Sequence, residues 1–166
     1  MTILQEYPET NLILQKIRHY CSYQERCINE VEKKLKAFSV QTEKIPGIIN
    51  QLQKEGYLDE ERFARVFAGG KFRLNKWGRN KIEFEMKIRG IPLMIVQEGM
   101  TEIDEPEYLQ ILKELMIHKY NEFKAKKNVN IREKIINFAY GKGYEMEFIL
   151  VFLKEMKIWI WLQMKM

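Results

Sequence analysis

Gly56–Ala64, GYLDEERFA, followed at Gly78–Ile91 by GRNKIEFEMKIRGI, is the stretch whose reading decides the fold. The first segment compresses a helix stop, a turn and a new helix start into nine residues. Gly56 suits the left-handed position just past a helix end, and Asp59-Glu60-Glu61 suits the positive end of the next helix dipole. The second segment is a basic amphipathic helix closed by its own glycine, Gly90.

That second segment recurs. Laid over Cys27–Val40 (CINEVEKKLKAFSV), it places Ile82 on Val31, Glu83 on Glu32, Met86 on Leu35, Lys87 on Lys36 and Ile91 on Val40. A fainter copy, Ile131–Tyr144, matches through Lys134-Ile135, Ala139 and Gly143-Tyr144. A spacing of about fifty residues holds roughly three short helices, the signature of a tandem array. Each copy carries one apolar stripe at helical spacing: Ile28, Val31 and Leu35, then Ile82 and Met86, then Ile135 and Ala139. These stripes are core positions. A unit this small cannot bury its stripe alone, so neighbouring units must stack.

Helix punctuation divides the chain further. Ser22-x-x-Glu25, Asp104-x-x-Glu107 and Asn130-x-x-Glu133 read as capping boxes, and Pro46, Pro92 and Pro106 suit first turns. Helices are predicted near 10–20, 23–38, 43–55, 59–74, 78–89, 92–99, 105–126, 130–142 and 144–156. No stretch reads as a sheet. The expected fold class is all-α, with three tandem three-helix repeats forming an elongated, curved array. The repeats are expected at 10–60, 61–106 (basic) and 107–156, with 157–166 (KIWIWLQMKM in full) an apolar tail. That tail carries Trp159 and Trp161, so it packs back, mediates self-association, or is particular to this sequence.

Composition agrees. The 166 residues are 46% hydrophobic with only 9 Gly and 4 Pro, enough apolar material for a core and little to break helices. No run approaches the eighteen or so apolar residues of a membrane span, and Met1–Thr10 lacks the basic and apolar regions of a secretory leader. A cytoplasmic protein is expected. Cys21 and Cys27, if on one helix, lie almost two turns apart at different rotational positions, so two reduced, buried thiols are expected. His19 and His118 form no zinc-site spacing with them, and His19 and Cys21 face different ways as a nucleophile–base pair. There is no phosphate-binding glycine motif. The expectation is a non-enzymatic protein without metal or cofactor.

The net charge of +5 is unevenly placed. Arg65, Lys71, Arg73, Lys76, Arg79, Lys81, Lys87 and Arg89 stand against Glu83 and Glu85 alone, with Phe72 and Trp77 interleaved. Such a cluster can neutralise phosphates with counterion release; a solvated helix face is the plainer alternative. Trp77 offers a face for base stacking, although a tryptophan beside a helix start more often packs into a core or interface. Glu98–Glu107 carries five acidic residues and no basic one, an acidic shoulder suited to a charge-patterned protein partner. Asp59-Glu60-Glu61 is read as capping rather than as a metal or acid/base site, with Arg62 within reach of Asp59. Gly69-Gly70 marks a close helix approach or a bend.

Gly56–Ala64, the basic residues Lys71 and Arg73, and G-x-x-x-I-x-x-x-M-x-x-R-G-I from Gly78 together resemble the RecX family of bacterial recombination regulators. Tyr20-Cys21-Ser22 and Glu30-Val31-x-x-Lys34-Leu35 are similar to that family's first unit, so the resemblance spans about residues 10–156. It implies three helical repeats lying in the groove of the RecA–DNA filament and lowering RecA's ATPase, strand-exchange and coprotease activities. It implies RecA and single-stranded DNA as partners, no membrane, and a monomer. Carried over, the family's basic positions fall on Lys71, Arg73, Lys76, Arg79 and Arg89, with Arg62 and Phe63 structural. Met86 in place of the usual leucine and Gly69-Gly70 depart from the pattern. A direct DNA-binding helical module and a structural helical adaptor are the alternative readings.

Overall fold

The structure is a computed structural model that describes residues 8–126 and 130–165, with side chains over 11–126 and 130–157. Every regular element among these is helical: α1 (Pro8–Tyr23), α2 (Ile28–Ala37), a 3-10 turn (Thr42–Lys44), α3 (Ile45–Lys54), α4 (Glu60–Asn75), α5 (Arg79–Ile88), α6 (Leu93–Met100), α7 (Glu105–Phe123), α8 (Ile131–Gly141) and α9 (Met146–Lys165). The expected all-α class and its three groups of three helices stand.

Much of the local punctuation follows the sequence. Asp104 accepts a hydrogen bond from the Glu107 N–H (3.1 Å), with Pro106 in the first turn of α7, and Asn130 accepts one from the Glu133 N–H (3.2 Å). Gly56, Gly90 and Gly143 all take positive φ (77°, 78° and 94°) just beyond their helices, a conformation that costs glycine nothing.

Two boundaries differ. The Ser22–Glu25 capping box does not form, because α1 runs through Ser22 and the serine hydroxyl donates to the His19 carbonyl (2.9 Å). Glu25 is taken instead by Arg62, whose Nε donates to it at 2.7 Å. The second helix therefore starts at Ile28, where Glu30 accepts the Cys27 N–H (3.3 Å). At the other end α9 continues to Lys165, since nothing in KIWIWLQMK breaks a helix. The tryptophan side chains of that tail lie outside the described residues.

The chain divides into two compact units, each discontinuous in sequence. The first comprises residues up to Phe67 together with Met86–Gly99; the second comprises Ala68–Glu85 and residues from Met100 onward. In the first, α1, α2 and α3 pack through Leu14, Ile17, Cys21, Val31, Leu35, Ile48 and Leu52, which recur at three- and four-residue spacing. Burying a leucine such as Leu35 completely stabilises the fold by about 2 kcal/mol. Cys21 and Cys27 are buried and unpaired, but they sit on different elements rather than on one helix.

In the second unit α7, α8 and α9 pack together around Tyr108, Leu112, Met116, Ile135, Ala139, Tyr144 and Ile149. Tyr108 lies at the centre of an aromatic cluster, with Tyr144 at 4.9 Å, Phe72 at 5.8 Å and Phe148 edge-on at 6.5 Å. The turn that opens α5 closes directly on the turn after α8. The Gly78 N–H donates to the Lys142 carbonyl (2.8 Å) and the Asn80 N–H to the Gly143 carbonyl (3.1 Å). A Cβ at position 78 would sit 2.2 Å from the Gly143 carbonyl carbon, so only glycine fits there.

Candidate interaction surface

The basic residues singled out from sequence fall on α4, α5 and the turns that follow them. Within the second unit, Trp77 is half-buried, with the Lys71 and Lys81 ammonium groups 5.0 and 4.5 Å from its ring. Two cations on one indole form a compact positive site whose aromatic face helps hold both charges. Lys76 precedes Trp77 at φ 55°, a left-handed conformation that a lysine rarely adopts. Its carbonyl accepts the Tyr144 hydroxyl proton (3.3 Å), and the Trp77 N–H returns to the Lys71 carbonyl (3.2 Å). Arg73 is exposed and donates to the Glu102 carbonyl (3.2 Å), with its guanidinium in the space that a side chain at Gly69 would fill.

Arg79 is held from several sides in the same unit. Its guanidinium lies 4.3 Å from the Tyr108 ring, 3.4 Å from Glu105 and 3.8 Å from Glu145. The Arg79 N–H donates to the Tyr108 hydroxyl (3.1 Å), which in turn donates a short hydrogen bond to Glu145. Burial, with that bond to Glu145, raises the Tyr108 pKa well above the ordinary tyrosine value. Tyr144 is raised for the same first reason, burial, and then by the charge of Glu145.

In the first unit, Arg65 is exposed and pairs with Glu98 at 2.6 Å. Arg89 lies 3.9 Å from Glu30 and 4.9 Å from the Phe67 ring. Lys87 is exposed on α5. The acidic shoulder is thus partly a set of internal counter-charges. Glu98 answers Arg65, Glu105 answers Arg79, the Glu102 backbone answers Arg73, and Asp104 caps α7.

Asp59 does cap α4, accepting the Arg62 N–H (3.0 Å), but the Arg62 guanidinium goes to Glu25 and to the Gly56 carbonyl (3.0 Å) rather than to Asp59. Glu60 accepts the Ile28 N–H (3.4 Å), and burial raises its pKa. Sequence reasoning missed the Tyr108–Glu145–Arg79 network and the Glu25–Arg62 pair. Both join residues far apart in the chain, and no local pattern marks them. Among the described residues, no cluster of His, Cys, Asp and Glu could hold a metal ion, and no helix is long and apolar enough to cross a membrane.

Fold and surface define an all-helical protein of three-helix units with a cationic, aromatic-bearing middle. Residues 59–100, which are α4 to α6, match the family model described as RecX, second three-helix domain. Over 135 residues the chain is 29% identical to the regulatory protein RecX of Lactobacillus johnsonii, covering 81% of this chain and 49% of that protein. It is 26% identical over 130 residues to the Clostridium acetobutylicum regulatory protein RecX, covering 76% of this chain and 60% of the relative. A crystal structure of a regulatory protein RecX superposes with a TM-score of 0.79 at 16% identity, over 88% of this chain and 73% of that one. The structure of RecX from Lactobacillus salivarius superposes with a TM-score of 0.78 at 20% identity, over 90% and 97%. The chain is thus similar in sequence to these regulatory proteins RecX and shares the fold of the two solved ones. It spans about half to three fifths of the length of these two curated relatives.

Proposed function

We propose that this chain is a non-enzymatic regulatory protein of the bacterial cytoplasm that binds the RecA–DNA filament as a monomer and inhibits RecA in recombination and DNA repair. The observation that carries this reading is a coincidence of position. The segment matching the RecX second three-helix domain, residues 59–100, also holds all eight basic residues of the candidate surface.

In this reading Arg65, Lys71, Arg73, Lys76, Lys81 and Lys87 face RecA or the phosphates of its single-stranded DNA, and Trp77 stacks against an unpaired base. Arg79 in the second unit and Arg89 in the first, already engaged by carboxylates and rings, each add charge within their own unit. Bound along the filament groove, the protein bridges successive RecA subunits. Bridging opposes the conformational cycling that hydrolysis, strand exchange and coprotease action require.

The test is RecA's DNA-dependent ATP hydrolysis with substoichiometric amounts of this protein, where inhibition is expected and unchanged turnover overturns the reading. Affinity for a preformed filament should also exceed affinity for bare single-stranded DNA as salt rises. Equal or tighter binding to bare DNA supports a direct DNA-binding module instead.

A further inference from the structure

In the second unit the cations do not end with α5. Between Lys119 and Lys142 the acidic residues are Glu122 and Glu133 alone, among lysines and one arginine. Three of those lysines have their charged ends placed against rings. The Phe123 ring has the Lys126 ammonium at 4.7 Å and the Lys119 ammonium at 5.0 Å. Lys119 also reaches the Phe138 ring, at 4.8 Å, and Lys142 lies 5.9 Å from that same ring. The Lys142 ammonium donates to the Asn75 carbonyl (3.1 Å), two residues before Trp77.

The turn after α8 joins this set to the Trp77 site. The Lys142 carbonyl accepts the Gly78 N–H, and a Cβ at Gly143 would lie 2.3 Å from the Lys81 Cβ. Cations and rings therefore alternate through the unit, from Lys126 and Phe123 to Lys119, Phe138 and Lys142, and on to Trp77 with its own two lysines. The negative face of each ring offsets part of the repulsion between the cations beside it. Glu122 answers Lys119 at 2.9 Å, whereas Lys126 and Lys142 have no carboxylate within 4 Å among the described residues.

A row of lysines suits one kind of ligand. Ammonium groups are point charges that hold phosphate without the fixed fork by which arginine selects a planar carboxylate. A nucleic-acid strand repeats its charge at every residue, as an acidic protein surface does not. The half-buried rings beside the cations give unpaired bases an apolar edge, which bases paired inside a duplex cannot use. We propose that Lys119, Lys126 and Lys142, on α7 and the turns after α7 and α8, form a phosphate-binding track that continues the Trp77 site and holds a single strand of nucleic acid. The proposal rests on the filament-binding reading for its ligand and deepens it by adding three cations outside residues 59–100.

The test measures binding of the full chain to a short fluorescein-labelled oligo(dT) by anisotropy over a series of salt concentrations, without RecA. Lys126→Gln combined with Lys142→Gln should weaken binding at low salt and lower the slope of log affinity against log salt by about 1.4, the share of two phosphates on a single strand. Lys126→Arg combined with Lys142→Arg should keep the native slope. Lys33→Gln combined with Lys36→Gln, which removes the same charge from exposed positions of α2 in the first unit, should keep it too. Lys142 also closes the end of α4 through the Asn75 carbonyl, so a purely structural role gives weaker binding with the native slope. That result overturns the proposal, as do an equal fall in the Lys33 and Lys36 variant and absence of binding at low salt. Duplex DNA or polyglutamate binding as tightly as oligo(dT) overturns the choice of ligand. RecA's ATP hydrolysis is read separately: native chain that fails to inhibit it removes the filament-binding reading, whereas an unaltered oligo(dT) slope in the glutamine variant removes the track alone.

Discussion

Lys76 stands where a helix-terminating glycine is usual. At φ 55° its Cβ crowds the backbone, a strain of about 1 kcal/mol or somewhat more. Three of the other helix ends solve the same problem with Gly56, Gly90 and Gly143. Retaining a lysine at this cost fits a position kept for its charge rather than its backbone. Lys76→Gly is therefore expected to raise unfolding stability by about 0.5 to 1 kcal/mol in urea titrations while weakening the proposed RecA inhibition. A variant that is no more stable shows that the turn relaxes and stores no strain. Cys21 makes a second point at this scale. Burial lifts its thiol from the ordinary 9.0 to about 11. The folded state thus disfavours the thiolate, so the stabilising contribution is complete below about pH 9 and is lost as pH rises through about 11. Thermal melts between pH 8 and pH 11 should fall more steeply for the native chain than for Cys21→Ala, and parallel curves would contradict this. Tyrosine ionisation, common to both proteins, cancels in the comparison.

Helix starts and stops were legible where the signalling residue bonds within its own turn. Asp104, Asn130 and the three terminating glycines each act on backbone groups in their own turn, so spacing alone identified them. Ser22 misled because Glu25 had two possible partners. The one that won, Arg62, lies 37 residues away and reaches it through the fold rather than along the chain. The Tyr108–Glu145 bond spans the same separation of 37 residues and was equally invisible. Gly78 shows the third case. It was quoted as part of a motif, but its reason is the backbone of the Gly143 turn packed against it. Gly78→Ala is expected to cost about 3 kcal/mol, because the clash is with backbone that cannot rotate away. Gly141→Ala, where an added Cβ meets nothing within 4 Å, should be neutral or stabilise by up to about 0.5 kcal/mol. Chemical denaturation of the two variants side by side checks the pair. Similar stabilities would mean that the contact between the two turns yields.

Over the whole molecule, a net charge of +5 understates how the cations are used. Arg79 and Arg65 have carboxylates at 3.4 and 2.6 Å, whereas Lys71 and Lys81 share the Trp77 ring. The two carboxylate pairs join residues far apart in the chain, so the sequence alone could not show them. Removing the Arg79 side chain leaves Glu145 and the Tyr108 ring without their cation, so Arg79→Ala should destabilise the protein by about 2 kcal/mol. Lys71→Glu combined with Lys81→Glu should leave the melting temperature within a few degrees of native, because the charges lie on one half-buried ring rather than in the core. If the proposed filament binding holds, the double variant should nevertheless lose that affinity. If the two ammonium groups neutralise phosphates of a single strand, the slope of log affinity against log salt should fall by about 1.4. Filament binding measured between low and physiological salt gives that slope directly. A loss of affinity with unchanged slope would place the two lysines against RecA rather than DNA, while unchanged affinity would remove them from the surface altogether.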